Sequence, residues 1–269
     1  MKPALENPLK QITSADNPQF KALLKLVQSS RERRLAGLSL LDGVHLLQAY
    51  RARQSEYGAA EQIIVSREGA GNPEVQTLTH NADNVVLMND NLFKQLSSVA
   101  TPTGIIAVIK TPRRETLPAV LDTCVMLEDV QDPGNLGSIL RSCAASSVTQ
   151  IFLSKQSVNA WSPRALRAAM GAHFSVEIYE RVDLIALAGA YPGRVIVTQM
   201  QAAKTVFSID LSGKIALVFG NEGAGVSNAL LHCAHQTIAI PMSAATQSLN
   251  VAAAAAVCLF ERVRQISAG

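Results

Sequence analysis

The stretch Ile-Ala-Leu-Val-Phe-Gly-Asn-Glu-Gly, residues 215–223, shows most directly how this chain folds. Its first five residues are all apolar, which is typical of a strand covered on both faces of a parallel sheet. Glycines and a carboxylate follow at once, at the carboxyl end of the strand, where ligands bind in open α/β sheets. The stretch therefore predicts a parallel sheet with a ligand site at this strand end.

Similar apolar runs alternate with helical patterns on both sides of this stretch. The predicted strands are 124–127, 150–153, 176–179, 195–198, 215–219 and 237–240. The predicted helices are 137–145, 162–170, 184–190, 228–231 and 248–264. Strands that alternate with helices in this way predict an α/β domain with a parallel sheet, which we assign to residues 120–269.

The first 110 residues show the same alternation on a smaller scale. A turn signal at 16–18 precedes a helical pattern, and short apolar runs such as 104–109 follow. They predict a small N-terminal α/β domain over residues 1–110. The polar, proline-containing segment after it predicts a linker at residues 111–119.

Positive charge is concentrated near the N-terminus. Residues 1–53 carry nine Lys/Arg against four Asp/Glu, whereas residues 116–269 carry ten of each. This imbalance indicates that one part docks on an anion while the other does chemistry, although a solvated helix face would give the same count. The cations expected to follow a phosphate backbone are Lys21, Lys25, Arg31, Arg33 and Arg34.

Several classes of protein are disfavoured by what the sequence lacks. The four cysteines are scattered without metal-ligand spacing, which predicts small buried thiols in a reducing compartment and no metal site. No apolar run approaches the roughly 18 residues of a membrane span, so we expect a cytoplasmic protein. The glycines after residue 219 lack the Lys-Ser/Thr of a P-loop, which excludes ATP and GTP, and they come too late in the sheet for an NAD site.

Three strand ends carry unusual polar sequence. The first is Glu-Asp-Val-Gln-Asp-Pro-Gly-Asn, residues 128–135, in which Asn135 is expected to cap the helix that follows. Arg141 lies about a turn and a half further along that helix. An arginine beside a cleft could hold a phosphate or stabilise an oxyanion, but a capped loop with a surface arginine would look the same.

The other two strand ends are equally ambiguous when each is taken alone. Residues 219–227 form a glycine-rich turn that contains Glu222, and residues 240–251 form a small-residue loop in which Ser248 or Asn250 starts an alanine-rich helix. Either segment could bind a ligand, and either could be an ordinary turn or a capped helix.

Taken together and in this order, the three segments resemble the motifs of the SpoU/TrmH family of SPOUT-class RNA methyltransferases. The matching positions are Asn135, Gly137 and Arg141, then Gly220, Glu222, Gly223 and Ser227, then Ser248, Leu249, Asn250 and Val251. The resemblance covers about residues 120–265. The N-terminal part resembles the ribosomal-protein-like substrate-binding domain often fused to this enzyme, with Asp42 where family members usually have Glu.

The resemblance implies an α/β domain with a deep trefoil knot, S-adenosylmethionine as cofactor, RNA as substrate, and an active site at a homodimer interface. The cofactor-binding residues it implies are Phe219, Gly220, Asn221, Gly223, Ile240, Met242, Ser248 and Leu249. The catalytic residues it implies are Arg141, Asn135, Glu222, Ser248 and Asn250.

The implied reaction is methyl transfer to a ribose 2′-hydroxyl. The family assigns activation of the hydroxyl to the arginine that matches Arg141, supplied by its own or by the partner subunit. Because arginine is almost never deprotonated, we favour stabilisation of the alkoxide over base catalysis. The other four catalytic residues would position Arg141, the ribose or the cofactor.

Two alternatives keep the same fold. The chain could be an RNA-binding or ribosome-assembly factor without catalysis, or a methyltransferase that acts on a base. Ribosomal RNA is favoured over transfer RNA because the N-terminal domain resembles those of rRNA enzymes, which is an argument from fold analogy alone.

Overall fold

The computed structural model describes residues 10–243 and 248–267. The chain divides into two compact units. The first unit comprises residues 1–112 and 161–167, and the second comprises residues 113–160 and 168–269.

The first unit is built on a mixed five-stranded sheet. Its strands are Lys10–Ile12 (β1), Leu38–Asp42 (β2), Gln62–Ser66 (β3), Val85–Met88 (β4) and Ile105–Lys110 (β5). They lie in the order β1-β4-β3-β5-β2, with β1, β4 and β3 parallel and β5 antiparallel to both neighbours. The helices are Pro18–Gln28 (α1), Ser30–Ala36 (α2), Val44–Arg51 (α3), Gln54–Tyr57 (α4), Pro73–Thr79 (α5) and Asp90–Leu96 (α6).

Helix α1 shows how local sequence sets this unit. The side chain of Asn17 accepts hydrogen bonds from the backbone N–H groups of Gln19 and Phe20, and Pro18 occupies the first helical turn. Both features favour a helix start at this point. The helix then buries Phe20, Leu23 and Leu26 against the sheet, so its apolar stripe forms part of the core.

The second unit is built on a seven-stranded sheet in which all strands are parallel, as predicted. Its strands are Cys124–Leu127 (β6), Gln150–Ser154 (β7), Glu177–Val182 (β8), Arg194–Thr198 (β9), Lys204–Thr205 (β10), Ile215–Phe219 (β11) and Gln236–Ala239 (β12). The strand order is β10-β12-β9-β11-β6-β7-β8. Its helices are Pro133–Ala145 (α7), Leu184–Ala190 (α9), Asn228–His232 (α10) and Val251–Ser267 (α11), while residues 163–167 of the helix Pro163–Ala169 (α8) belong to the first unit.

The centre of this sheet decides where the site can form. Every residue of β6 and β11 is buried, and the two strands pair in register so that Leu127 lies opposite Phe219. Their carboxyl ends therefore lie side by side. The polar segments after Leu127 and Phe219, which are about 90 residues apart in sequence, meet at one edge of the sheet.

Helix α7 begins earlier than the sequence pattern predicted. It starts at Pro133 instead of residue 137, and Asp132 is its cap, with Oδ1 accepting from the backbone N–H of Asn135 at 2.9 Å. Proline suits the first helical position because its φ is already helical and it has no N–H to satisfy. The prediction that Asn135 caps the helix was therefore wrong, and the Asn135 side chain has other partners.

The sequence left two candidates for the start of the last helix, Ser248 and Asn250, and the structure selects Asn250. The side chain of Asn250 accepts from the backbone N–H groups of Ala252 and Ala253, so Asn250 caps α11 and Ser248 lies before it. No helix in the described part of the chain is long and apolar enough to cross a membrane.

The cysteines match the expectation of buried thiols at three of four positions. Cys124, Cys143 and Cys258 are buried, whereas Cys233 is partly exposed. Burial raises the pKa of Cys124 and of Cys258 to about 12. These thiols are therefore neutral packing groups of the second unit.

Candidate functional site

The carboxylate of Glu222 joins two of the three polar strand ends. Its oxygens accept hydrogen bonds from the backbone N–H groups of Gln131 at 3.2 Å and Asp132 at 3.3 Å, and from Nδ2 of Asn135 at 3.0 Å. These donors lie at the start of α7, where the helix dipole favours negative charge. Partial burial alone would raise the pKa of Glu222, but the hydrogen bonds outweigh it and hold the pKa below its ordinary value.

Asn135 extends this contact to the third strand end. Its Oδ1 accepts from Nδ2 of Asn250 at 2.9 Å, while Oδ1 of Asn250 accepts from the first backbone N–H groups of α11. A carboxylate only accepts and a backbone N–H only donates. The Glu222 carboxylate and the N–H groups of α11 therefore require the same orientation of the Asn135 and Asn250 side-chain amides. Glu222, Asn135 and Asn250 thus form one hydrogen-bonded chain, which we call the Glu222 chain.

A cavity of about 560 Å³ opens at the carboxyl ends of β9, β11 and β12. Its size lies in the usual range for small-molecule sites. It is lined by Glu222 and by all eight residues predicted to bind the cofactor, which are Phe219, Gly220, Asn221, Gly223, Ile240, Met242, Ser248 and Leu249. The structure brings this set together around one space, and cofactor binding by each member stays a prediction.

The cavity also includes residues that the sequence analysis missed. Thr198, the last residue of β9, and the three residues after it form part of its lining, as do Asn228 and Leu231 of α10. Residues 198–201 contain no glycine and match no motif. The one signal that could have found them is their position after a buried strand, because such positions gather at the ligand edge of a parallel sheet.

The glycines after β11 serve the fold of their own loop. A Cβ on Gly220 would lie 2.2 Å from the carbonyl carbon of Gly225, and Gly225 itself has a φ of +72°. The backbone of Asn221 exchanges two hydrogen bonds with Gly225, and Oδ1 of Asn221 accepts from the N–H of Gly223 at 2.9 Å. The close backbone approach that the sequence suggested is therefore made within the loop, and approach to a ligand stays a prediction.

Arg141 stands apart from the Glu222 chain. It is exposed on α7, and it makes no hydrogen bond or ion pair with any residue in the described ranges. At about 100° per residue, a helical position six residues after Asn135 points roughly 120° away from it. The guanidinium is thus available to a group outside this hydrogen-bonded chain.

The chemistry of this edge is one of positioning and charge. Glu222 is hydrogen-bonded with a lowered pKa, so it is a weak base near neutral pH. Among the residues that the structure describes, no histidine lines the cavity. Within residues 10–243 and 248–267, no group of three or more His, Cys, Asp or Glu side chains could hold a metal ion.

The basic residues near the N-terminus do not form one uniform surface. Lys25, Arg31 and Arg34 are exposed, and Lys21 is exposed but paired with Asp16 at 2.9 Å. Arg33 is a correction to the predicted RNA contacts, because only 7% of it is exposed. Its Nη1 donates to the backbone carbonyls of Leu26 at 2.8 Å and Val27 at 3.2 Å, so Arg33 satisfies the end of α1 instead of facing a partner.

Two family profiles match the chain. Residues 122–260 match the SpoU rRNA methylase family, and residues 17–107 match an MRM3-like substrate-binding domain. The first match contains all the residues of the Glu222 chain and Arg141. The second covers most of the first unit.

Named proteins and solved structures are similar over nearly the whole chain. An uncharacterised tRNA/rRNA methyltransferase of Synechocystis is 31% identical, covering 97% of this chain and 96% of the relative. The 23S rRNA (guanosine(2553)-2′-O)-methyltransferase of Bacillus subtilis is 30% identical, covering 94% and 98%. The crystal structure of the SpoU methyltransferase AviRb from Streptomyces viridochromogenes with AdoMet is 26% identical, with a TM-score of 0.84 and coverage of 94% and 99%.

Proposed function

The chain belongs to the SpoU rRNA methylase family, and from this premise we propose that it transfers a methyl group from S-adenosylmethionine to a ribose 2′-hydroxyl of ribosomal RNA. The observation that carries the proposal is the Glu222 chain, which joins three strand ends beside a cavity large enough for the cofactor. A relative named for 2′-O-methylation of 23S rRNA and a solved relative with AdoMet support the same reading.

The residues of the cavity fit the cofactor in size and in chemistry. Ile240, Met242 and Leu249 offer apolar surface to a planar base, and the polar groups of Asn221 and Ser248 lie among them. When bound there, S-adenosylmethionine supplies a methyl group on a positively charged sulfur. The task of the surrounding residues is to orient it and to exclude water.

The protein must also activate a poor nucleophile. The exposed guanidinium of Arg141 would stabilise negative charge as it develops on the ribose oxygen, without giving up its own proton. The Glu222 chain would hold the starts of α7 and α11 in fixed positions, so that ribose and cofactor meet at the required distance. In this scheme Glu222, Asn135 and Asn250 are positioning residues, and Arg141 touches the substrate.

We further propose that the active form is a homodimer. Arg141 points about 120° away from Asn135 around α7, which supports delivery of its guanidinium to a neighbouring subunit's site. A trefoil knot in the second unit, with its last helix passing through a loop, also belongs to this proposal, as do the contacts of Lys25, Arg31 and Arg34 with the RNA backbone.

The experiment that tests the function uses the purified chain, labelled S-adenosylmethionine and ribosomal RNA from a strain that lacks the gene. Nuclease digestion and mass spectrometry should yield one 2′-O-methylated nucleoside. A methyl group on a base would identify a base methyltransferase. Absence of both transfer and cofactor binding would identify an RNA-binding factor without catalysis.

A further inference from the structure

We propose that the first unit binds one unstacked guanine nucleotide of the RNA, in a cavity at the carboxyl ends of β3 and β4. This inference rests on the proposed function, since it takes RNA as the substrate. It places base recognition outside the basic cluster, the name used here for Lys21, Lys25, Arg31, Arg33 and Arg34. The cavity has a volume of about 530 Å³, within the range of small-molecule sites. The segments that follow β3 and β4 and the segment before β5 form its walls.

Behind Ser66 and Gly69, which line this cavity, the backbone is closely packed. A Cβ on Gly69 would lie 2.5 Å from the carbonyl oxygen of Gly104, and a Cβ on Gly104 would lie 2.4 Å from Cα of Gly69. Ser66, only 4% exposed, accepts from the N–H of Gly69 at 2.8 Å, and its own N–H donates to the carbonyl of Gly104 at 2.9 Å. The backbone on the Ser66 and Gly69 side of the cavity is therefore preformed, which lowers the entropic cost of binding a ligand.

The rim carries two charged groups of opposite sign. The carboxylate of Glu68 and the ammonium of Lys94 line the cavity, are exposed, and make no hydrogen bond or ion pair with any residue that the structure describes. Asp90 is already engaged, because its Oδ1 accepts from the backbone N–H of Glu68 at 3.0 Å. Phe93 is fully buried, so it packs behind the cavity and offers no surface to a ligand.

These groups together select the chemistry of the ligand. Glu68 can only accept hydrogen bonds, and Lys94 can only donate them. A guanine nucleotide suits both, because its Watson–Crick edge presents two adjacent donors, N1–H and N2–H₂, and its phosphate is an anion. The other three bases do not present two adjacent donors on that edge. Sequence-specific proteins read the edges of unstacked RNA bases in this manner.

The sign of the charge makes the proposal testable. A carboxylate on an RNA-binding surface repels phosphate, so neutralising it should strengthen binding that is purely electrostatic. If Glu68 reads guanine, neutralising it should instead weaken binding of RNA that contains guanine. The two explanations predict opposite outcomes for Glu68→Gln.

The experiment measures fluorescence anisotropy of the full chain with labelled ten-nucleotide single-stranded RNAs. One RNA has a single guanine in an adenine–uracil background, and the other has adenine in its place. We expect the wild type to bind the guanine RNA more tightly than the adenine RNA. Glu68→Gln should lower the affinity for the guanine RNA by about fivefold or more and leave the affinity for the adenine RNA unchanged. Glu74→Gln, which neutralises an exposed carboxylate of α5 outside the cavity, should weaken neither.

The proposal is overturned if the wild type shows no preference for the guanine RNA. It is also overturned if Glu68→Gln binds that RNA as tightly as the wild type or more tightly, with an unchanged melting temperature. The measurement needs neither S-adenosylmethionine nor methyl transfer. Failure of the methylation assay on wild-type protein therefore tests the proposed function separately.

Discussion

Two polar regions of this molecule look alike in sequence but differ in how the fold uses them. At the strand ends of the second unit, residues from distant motifs join in one hydrogen-bonded chain, with Asn135 linking Glu222 to Asn250. At the basic cluster of the first unit, neighbouring cations separate, so that Arg33 is buried while Arg31 is exposed. Strand ends converge because the sheet brings them together, whereas adjacent residues on a helix face different directions.

The largest expected effect tests whether chemistry belongs to the strand-end region. Arg141→Ala should lower the rate of methyl transfer to ribosomal RNA by about 10²–10³-fold, because the developing oxyanion loses its cationic partner. Cofactor affinity measured by calorimetry should stay within about twofold, since Arg141 does not line the cavity.

Two further variants make this test specific. Arg141→Lys keeps the charge but loses the planar fork, so it should recover only part of the rate. Arg53→Ala, at an exposed surface ion pair of the first unit, should be fully active. A fully active Arg141→Ala enzyme would rule out the assigned role of this arginine.

The next effect tests whether the glycine loop must pack on itself. Gly220→Ala would place a methyl group 2.2 Å from the backbone of Gly225, so the loop has to shift and cofactor affinity should fall by about tenfold or more. Gly189→Ala, in α9 and outside the cavity, is the matched control, because its Cβ would meet no atom within 4 Å. Equal affinities for the two variants, measured by calorimetry, would contradict this reading of the loop.

A third effect tests the division within the basic cluster. Arg33→Met should lower the free energy of unfolding by about 2 kcal/mol, because the carbonyls of Leu26 and Val27 lose a charged donor. Denaturant unfolding measures this loss. The salt dependence of RNA binding should not change, since the buried guanidinium releases no counterion.

Lys25 provides the opposite case on the same surface. Lys25→Gln should leave the unfolding free energy unchanged and reduce the slope of log affinity against log salt by about one. If Arg33→Met reduces that slope while Lys25→Gln does not, the assignment of the two cations is reversed.

The smallest effect concerns the charge of Glu222. Glu222→Gln should destabilise the protein by about 1 kcal/mol at neutral pH, because a charged acceptor of three hydrogen bonds is replaced by an amide. The folded pKa of Glu222 is lowered, so its contribution is complete above the ordinary carboxyl range and is lost as pH falls through the lowered pKa. The melting-temperature difference should therefore shrink in acid, and a difference that grew would contradict this assignment.

Local sequence predicted the interior of the second unit well. The bounds of β6, β11 and α9 agree with the apolar runs and helical pattern, because burial on both faces of a strand and along one face of a helix leaves a direct record in residue type. The start of α7 was placed four residues late. The Asp132-Pro133 sequence also suits a turn. What distinguishes a helix start from a turn here is the hydrogen bond that the backbone N–H of Asn135 donates to Asp132.

The sequence by itself determined the class of fold, the strand ends that carry motifs, and the family to which those motifs belong. Residue type and spacing carry this information, because burial and helix capping select particular residues at particular positions. The tertiary structure alone decided that Glu222, Asn135 and Asn250 share one hydrogen-bonded chain, that residues 198–201 join the cavity, and that Arg33 is buried. Strand order and side-chain partners depend on contacts between residues far apart in the chain, and no local pattern encodes those contacts.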